Sequence, residues 1–290
     1  MTPGFPETAA HDIVEVALTE DLGGYPGRDV TVDATIPAAQ RSTAHLVARG
    51  AGVLAGMPLV SLVFHAVTER LGTAEVAVDL RRQDGDHVAR GDVLAVLRGS
   101  TRAMLVGERT LLNLLCRLSG IATHTRAWAD ALAGTGATVL DTRKTTPGLR
   151  SLEKYAVRCG GGTNKRMGLF DVAMVKDNHK LAAGSLRAAY DAVLAAHPGV
   201  EVQVEVTTTG EALEAVSAGA RFLLCDNMPV DLLRETVAAV RAAGQRVEVE
   251  ATGGLTVDVA RAYAQTGVDY LSVGALTHSS PILDLALDLV

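Results

Sequence analysis

ATVLDTRKTTPGLRSLEKYAVRCGGGTNKRMGLFDVAMVKDNHK, residues 137–180, opens on a short apolar run, Ala137–Leu140, and closes just beyond a second, Val172–Val175. Between them Ser151–Arg158 carries helical spacing, so the stretch reads as one strand–helix–strand repeat of a parallel sheet. Its polar residues gather where the apolar runs stop: Asp141, Arg143 and Lys144 after the first, Lys176, Asp177 and Asn178 after the second. From Asp141 to Lys180 there are nine Lys/Arg against four Asp/Glu, inside a chain of formal net charge −6. A basic run is ordinarily a solvated face. Here the cations alternate with Thr145-Thr146-Pro147-Gly148 and Gly160-Gly161-Gly162, loop residues that let backbone come close to a ligand. The stretch therefore reads as a pocket for a small molecule with several negative charges.

The same rhythm continues downstream. Apolar runs at Val202–Val206, Phe222–Cys225, Val247–Glu250 and Tyr270–Val273 alternate with helical patterns at Ser185–His197, Gly210–Ala218, Val230–Ala243 and Val257–Thr266. Runs this apolar fit strands buried on both faces. Six units, or seven with one unrecognised, predict an α/β fold with a closed or nearly closed α/β barrel, the alternative being a doubly wound open sheet. No GxGxxG follows any run, which argues against a dinucleotide fold.

Polar residues end every predicted strand: Glu205 and Thr207, Asp226 and Asn227, Glu250 with Thr252-Gly253-Gly254, Ser272 with Gly274 and His278. In α/β barrels that rim gathers the active site. Glu205 and Asp226, on successive strands, suit a general acid/base pair or a Mg²⁺ site, since Mg²⁺ takes one or two carboxylates plus substrate oxygens. No HxH, HExxH or Cys/His cluster offers a zinc site. The two glycine turns after the last strands suit a phosphate. Phosphate, Mg²⁺ and further carboxylate-like charge together describe phosphoribosyl diphosphate with an anionic acceptor.

The first hundred residues have a different texture. A helix is predicted over His11–Leu22, extended pieces over Ser42–Ala48, Gly52–Ala55, Glu75–Leu80 and Asp92–Leu97, and a helix over Met57–Leu71. This gives a small N-terminal α/β domain ahead of the barrel. Asp84–Leu94 resembles the hairpin of biotinyl/lipoyl-type domains, but no lysine occurs before Lys144, so it is read as a plain β-hairpin. Arg102–Leu132 is a long helical pattern interrupted at Gly120, and Arg109 within it reads, by itself, as a surface arginine.

With 48% hydrophobic and 3% aromatic residues and a negative balance, the chain has a substantial core and lacks the stacking platforms and basic surface of nucleic-acid binders. Three cysteines without CxxC spacing suit a reducing compartment. With neither a signal-peptide pattern nor an apolar run of about 20 residues, a cytoplasmic protein is expected.

Together, DTRKTTPGLRSLEKYAVRCGGG, NKRMGLFD, MVKDNH, VEVT, LLCDNMP, EATGG and SVGALTHS resemble the quinolinate phosphoribosyltransferase family (nicotinate-nucleotide pyrophosphorylase, carboxylating) over nearly the whole chain. The resemblance implies an N-terminal α/β sandwich over residues 1–115, joined by the C-terminal tail, then an incomplete, open α/β barrel of about seven strands over residues 116–290, working as a homodimer or hexamer with shared active sites. It also implies Mg²⁺-dependent conversion of quinolinate and phosphoribosyl diphosphate to nicotinate mononucleotide, pyrophosphate and CO₂. By motif it assigns Arg143, Lys144, Lys165, Arg166 and Lys176 to the quinolinate and diphosphate pocket, with Arg109 reaching a neighbouring subunit's site. Glu205 and Asp226 match the acids at ribose and metal, and Thr252, Gly253, Gly254, Gly274 and His278 the phosphate loops. Lys144, Lys176, Glu205 and Asp226 are the expected catalytic residues. Two positions depart from the family pattern: Lys165 stands where histidine is common, and Thr252 where serine is usual. Other readings of the pattern are a related phosphoribosyltransferase-like protein of molybdenum utilisation, a Schiff-base aldolase using Lys144 or Lys176, and a non-enzymatic phosphoribosyl-ligand sensor.

Overall fold

The computed structural model describes residues 4–290. The chain begins with α1 (Glu7–Leu22), α2 (Val30–Thr35), β1 (Arg41–Ala48), β2 (Gly52–Val53), α3 (Pro58–Leu71), β3 (Val76–Leu80), β4 (His87–Val88), β5 (Val93–Ser100) and the long α4 (Thr101–Ala131). It continues through β6 (Thr138–Leu140), α5 (Arg150–Cys159), β7 (Val172–Val175), α6 (Asp177–Ala183), α7 (Leu186–Ala196), β8 (Glu201–Val206), α8 (Thr209–Ala218) and β9 (Phe222–Asp226). The last elements are α9 (Val230–Ala242), β10 (Glu248–Thr252), α10 (Val257–Ala264), β11 (Tyr270–Ser272), α11 (Ala275–His278) and β12 (Leu285–Leu289). Two compact units interleave along the chain. The first takes residues up to Arg126, Thr145–Gly161 and Leu276–Val290; the second takes Ala127–Lys144 and Gly162–Ala275.

In the first unit the sheet order is β12-β1-β5-β3, so the last strand of the chain lies beside the first, antiparallel to it. The stretch Asp84–Leu94 is not a hairpin. Its first arm, β4, pairs with β2, and its second, β5, lies between β1 and β3. Asp84, at the turn, is used instead as a buried anchor. It accepts hydrogen bonds from the Met57 backbone N–H (2.8 Å) and from the Tyr155 hydroxyl (2.6 Å).

Two glycine expectations also change. Helix α4 runs unbroken through Gly120, because a Cβ there would lie 2.1 Å from the Pro281 carbonyl oxygen. The glycine is a packing notch and the helix hydrogen bonds survive it. Gly160 is another: a Cβ would meet the Ala122 carbonyl oxygen at 2.3 Å, so this member of the glycine run seats α5 against α4.

The second unit is a six-stranded parallel sheet in the order β6-β11-β10-β9-β8-β7. The last strand pairs with the first and the others follow in reverse, which is the neighbour order of a barrel opened between its first and second strands. On the outer edge of β6, Leu140 forms one isolated parallel bridge to Thr163. That bridge stands where a seventh strand would run, so the open barrel has six strands and a fragment.

The strands are not uniformly apolar. In register, Gln203, Phe222 and Glu248 form one row, and Glu205, Leu224, Glu250 and Tyr270 the next. This face of the sheet is polar, while the alternate residues Val202, Val204, Val206, Leu223, Cys225, Val249 and Ala251 are buried on the other. Alternation of period two therefore operates within a parallel sheet. A barrel interior filled partly by acids needs counter-charges, which the strand-end loops supply.

Candidate active site

The carboxyl edge of the second unit gathers its functional groups from six strand ends. At β6, Asp141 is fully buried and acts as a clamp. Its carboxylate accepts from Asn164 Nδ2 (2.6 Å) and from the Lys165 backbone N–H (2.9 Å). This fixes the Asn164-Lys165-Arg166 segment beside the sheet. Lys165 then turns inward, with Nζ 2.6 Å from both carboxylate oxygens of Glu250 and 5.8 Å from the Phe222 ring centre. The two side chains are 7% and 0% exposed.

Arg166 donates to the Val172 carbonyl oxygen at 3.0 Å. Burial and then the nearby Arg143 guanidinium push its pKa below the ordinary arginine value. Lys165 is lowered as well, first by burial, with Glu250 opposing and Lys176 and Arg166 adding to the fall. The four cations are linked in series, Arg143 bearing on Arg166, and Arg166 and Lys176 on Lys165. Lys144 is exposed just outside β6, with its backbone N–H on the Thr142 hydroxyl at 3.1 Å.

The acids face this cluster. Lys176, in the turn between β7 and α6, binds Glu205 at 2.5 Å. Glu205 and Asp226 sit on neighbouring strands, and the register places both on the polar face. Asp226 accepts from Asn227 Nδ2 at 2.8 Å. Among the described residues no group of three or more His, Cys, Asp or Glu is arranged to hold a metal. Two carboxylates on one face do suit Mg²⁺, which completes its octahedron with water and substrate oxygens.

The turn after β10 is built for close approach. Asn227 has φ 53° and donates its backbone N–H to the Thr252 carbonyl oxygen at 2.9 Å. Gly253 has φ 99°, and a Cβ there would sit 2.3 Å from Asn227 Oδ1. Gly254 follows with φ 59°, and Gly274 precedes α11 on the adjacent strand end. Expected site residues of the first unit are placed separately: Arg109 is exposed on α4, and His278 is exposed at the end of α11 with Nδ1 2.6 Å from the Ser279 hydroxyl.

Several supporting residues carry no motif signal. Glu153, buried on α5, binds Arg117 (2.8 Å) and the Thr146 backbone N–H (3.0 Å), so the Thr145–Gly148 loop is held from below. Asp141 and Glu250 were visible as strand-end acids, but their roles as buried partners of the Asn164-Lys165 segment were not, since an acid there shows its partner only in the fold.

Residues 29–119 match the model for the quinolinate phosphoribosyl transferase N-terminal domain, and residues 121–288 the model for its C-terminal domain. The chain belongs to the quinolinate phosphoribosyltransferase family. It is 45% identical to the nicotinate-nucleotide pyrophosphorylase (carboxylating) of Mycobacterium leprae, over 97% of each chain. Solved family structures superpose closely. The nicotinate-nucleotide pyrophosphorylase from Francisella tularensis gives a TM-score of 0.91 at 32% identity, covering 99% of this chain and 98% of that one. NadC from Streptococcus pyogenes gives 0.89 at 36% identity over the full length of both. Family membership leaves the aldolase and sensor readings without support.

Proposed function

We propose that this chain transfers the phosphoribosyl group of phosphoribosyl diphosphate to the ring nitrogen of quinolinate. The 2-carboxylate is released as CO₂, giving nicotinate mononucleotide and pyrophosphate for NAD biosynthesis. The observation that carries this reading is the cation cluster at one end of an acidic protein. Arg143, Lys165, Arg166 and Lys176 are held near enough that burial and repulsion lower the pKa values of Arg166 and Lys165. Such an arrangement is compensated when a polyanion enters it.

The arginines suit the two substrate carboxylates, since a guanidinium fork matches a carboxylate bidentately. Lys144 and Lys176 neutralise the departing diphosphate, while Glu205 and Asp226 hold the ribose hydroxyls. The turn at Thr252-Gly253-Gly254, with Gly274, takes the 5′-phosphate on backbone N–H groups. As the C1–diphosphate bond breaks, the ring nitrogen takes its place at an oxocarbenium-like carbon. Positioning and fixed charge account for the acceleration more than proton transfer does. The ring nitrogen, now cationic, stabilises the electron pair left on the adjacent carbon when CO₂ departs, and a proton takes up that pair in place of CO₂. Glu205 and Asp226 would hold Mg²⁺, which would supply neutralising charge at the diphosphate.

The working form is inferred to be a cytoplasmic homodimer, or a hexamer of three such dimers, in which Arg109 completes a neighbouring subunit's site. The test is turnover with quinolinate carrying ¹⁴C in its 2-carboxylate, omitting phosphoribosyl diphosphate or Mg²⁺ in turn. Labelled CO₂ is expected only from the complete mixture; its absence from that mixture overturns the proposal.

A further inference from the structure

One buried acid stands against the logic of the pocket. Glu250 is fully buried on the polar face of β10, beside cations assigned to a dianionic substrate. Placed there alone it would repel that substrate and carry an uncompensated charge. Lys165 is in the complementary difficulty: its side chain is 7% exposed, and Lys176 and Arg166 are its cationic neighbours. A lysine so placed sheds its proton unless a counter-charge holds it. The geometry couples the two problems. Nζ lies 2.6 Å from each Glu250 oxygen, while the Asp141 carboxylate fixes the Lys165 backbone N–H at 2.9 Å. The residue is thus tied at both ends, by one acid on its main chain and by another on its side chain.

We propose that Glu250 is a positioning residue that keeps Lys165 in its ammonium form and in place, so that the pocket presents a fixed cation to a carboxylate of the substrate. The inference rests on the reading that Lys165 faces quinolinate. It concerns a lysine that stands where the family resemblance leads one to expect histidine. A lysine, unlike an imidazole, can supply its charge throughout the neutral and mildly alkaline range, provided burial does not strip its proton. Among the groups bearing on the ammonium are Glu250 from β10, Lys176 from the turn after β7, Arg166 from its own segment, and the uncharged Phe222 ring from β9. Glu250 alone among them raises the lysine pKa; burial and the two cations lower it. Removing the Glu250 charge therefore lowers it further, so the proton is lost as pH rises and the dicarboxylate binds less well at high pH.

The experiment measures KM for quinolinate from pH 6.5 to 9.5, at saturating phosphoribosyl diphosphate and Mg²⁺, in wild type and Glu250→Gln. Wild type is expected to change less steeply over this range than the variant, because Glu250 opposes the loss of the lysine proton. The variant's KM should climb by up to about tenfold per pH unit above the lowered lysine pKa, with kcat falling much less. Adding Lys165→Arg to Glu250→Gln should flatten the profile again, since a guanidinium does not lose its proton in this range. A purely structural Glu250 would lower Tm without creating this slope, and a flat profile in folded Glu250→Gln overturns the proposal. Should that variant not fold, Glu250→Asp carries the same test: a smaller slope in the same direction is expected, and a flat one is again fatal. Lys165→Gln separates the underlying reading. If it binds quinolinate as tightly as wild type, Lys165 is not a substrate ligand; if it weakens binding while Glu250→Gln stays flat, only the role of Glu250 fails.

Discussion

Gly253 shows how little freedom the site has at single positions. Its φ of 99° lies in the region that favours glycine, and its Cα faces the Asn227 side chain so closely that a methyl group would overlap Oδ1. Gly253→Ala is expected to cost about 1–3 kcal/mol in urea unfolding, from backbone strain and overpacking together. It should also raise KM for phosphoribosyl diphosphate more than KM for quinolinate, because it distorts the turn assigned to the phosphate. Equal effects on both would mean the turn does not hold that group. The cations make the complementary prediction. Arg143→Ala and Lys144→Ala should each lose about 10²-fold or more in kcat/KM, the scale of removing one preorganised charge from a transition state. Circular dichroism should show both folded, because neither side chain belongs to the apolar core. Unchanged kinetics in either would remove that residue from the site.

At the scale of elements, what could be read from the sequence was what is periodic or local. The six parallel strands fall where short apolar runs end in polar residues, since strand, turn and helix cap are each set within a few residues. What pairs with what was less legible. The Asp84–Leu94 turn chemistry is that of a hairpin, yet its arms belong to different sheets, because β2 and the β1/β3 pair compete for them from elsewhere in the chain. Gly120 and Gly160 read as a helix break and a ligand loop because a packing notch looks the same in sequence. Only the facing Pro281 and Ala122 carbonyls distinguish them. The rim residues Glu205 and Asp226 were visible from their strand-end positions. Glu153 was not, since its partner Arg117 is 36 residues away on another helix. That pair joins α4 to α5 and, through the Thr146 N–H, steadies the loop before α5. Removing one partner of a buried pair strands the other, so Glu153→Ala should cost about 3 kcal/mol, the low end for such pairs because Arg117 is 26% exposed. Chemical denaturation measures it; a loss under about 0.5 kcal/mol would show that water replaces the carboxylate there.

For the whole molecule, the question is whether one chain suffices. The second unit supplies a cation cluster, two acids and a glycine turn from consecutive strand ends, in keeping with an open barrel whose polar face leads to its carboxyl edge. Arg109 is different. It lies in the other compact unit, exposed on a helix whose neighbours Ala103, Met104, Leu111 and Leu115 are core residues. An exposed arginine on a rigid helix is well suited to reach a second copy, and a two-fold dimer would exchange two such arms symmetrically. Complementation decides this. Arg109→Ala and Lys144→Ala proteins should each be nearly inactive alone. When they are unfolded together and refolded, the mixed dimers contain one site lacking both groups and one site lacking neither. Random reassortment should then restore about a quarter of wild-type activity, because half the dimers are mixed and each has one intact site. If Arg109 served its own chain's site instead, every site in the mixture would still lack one group, and activity would stay at the level of the separate variants.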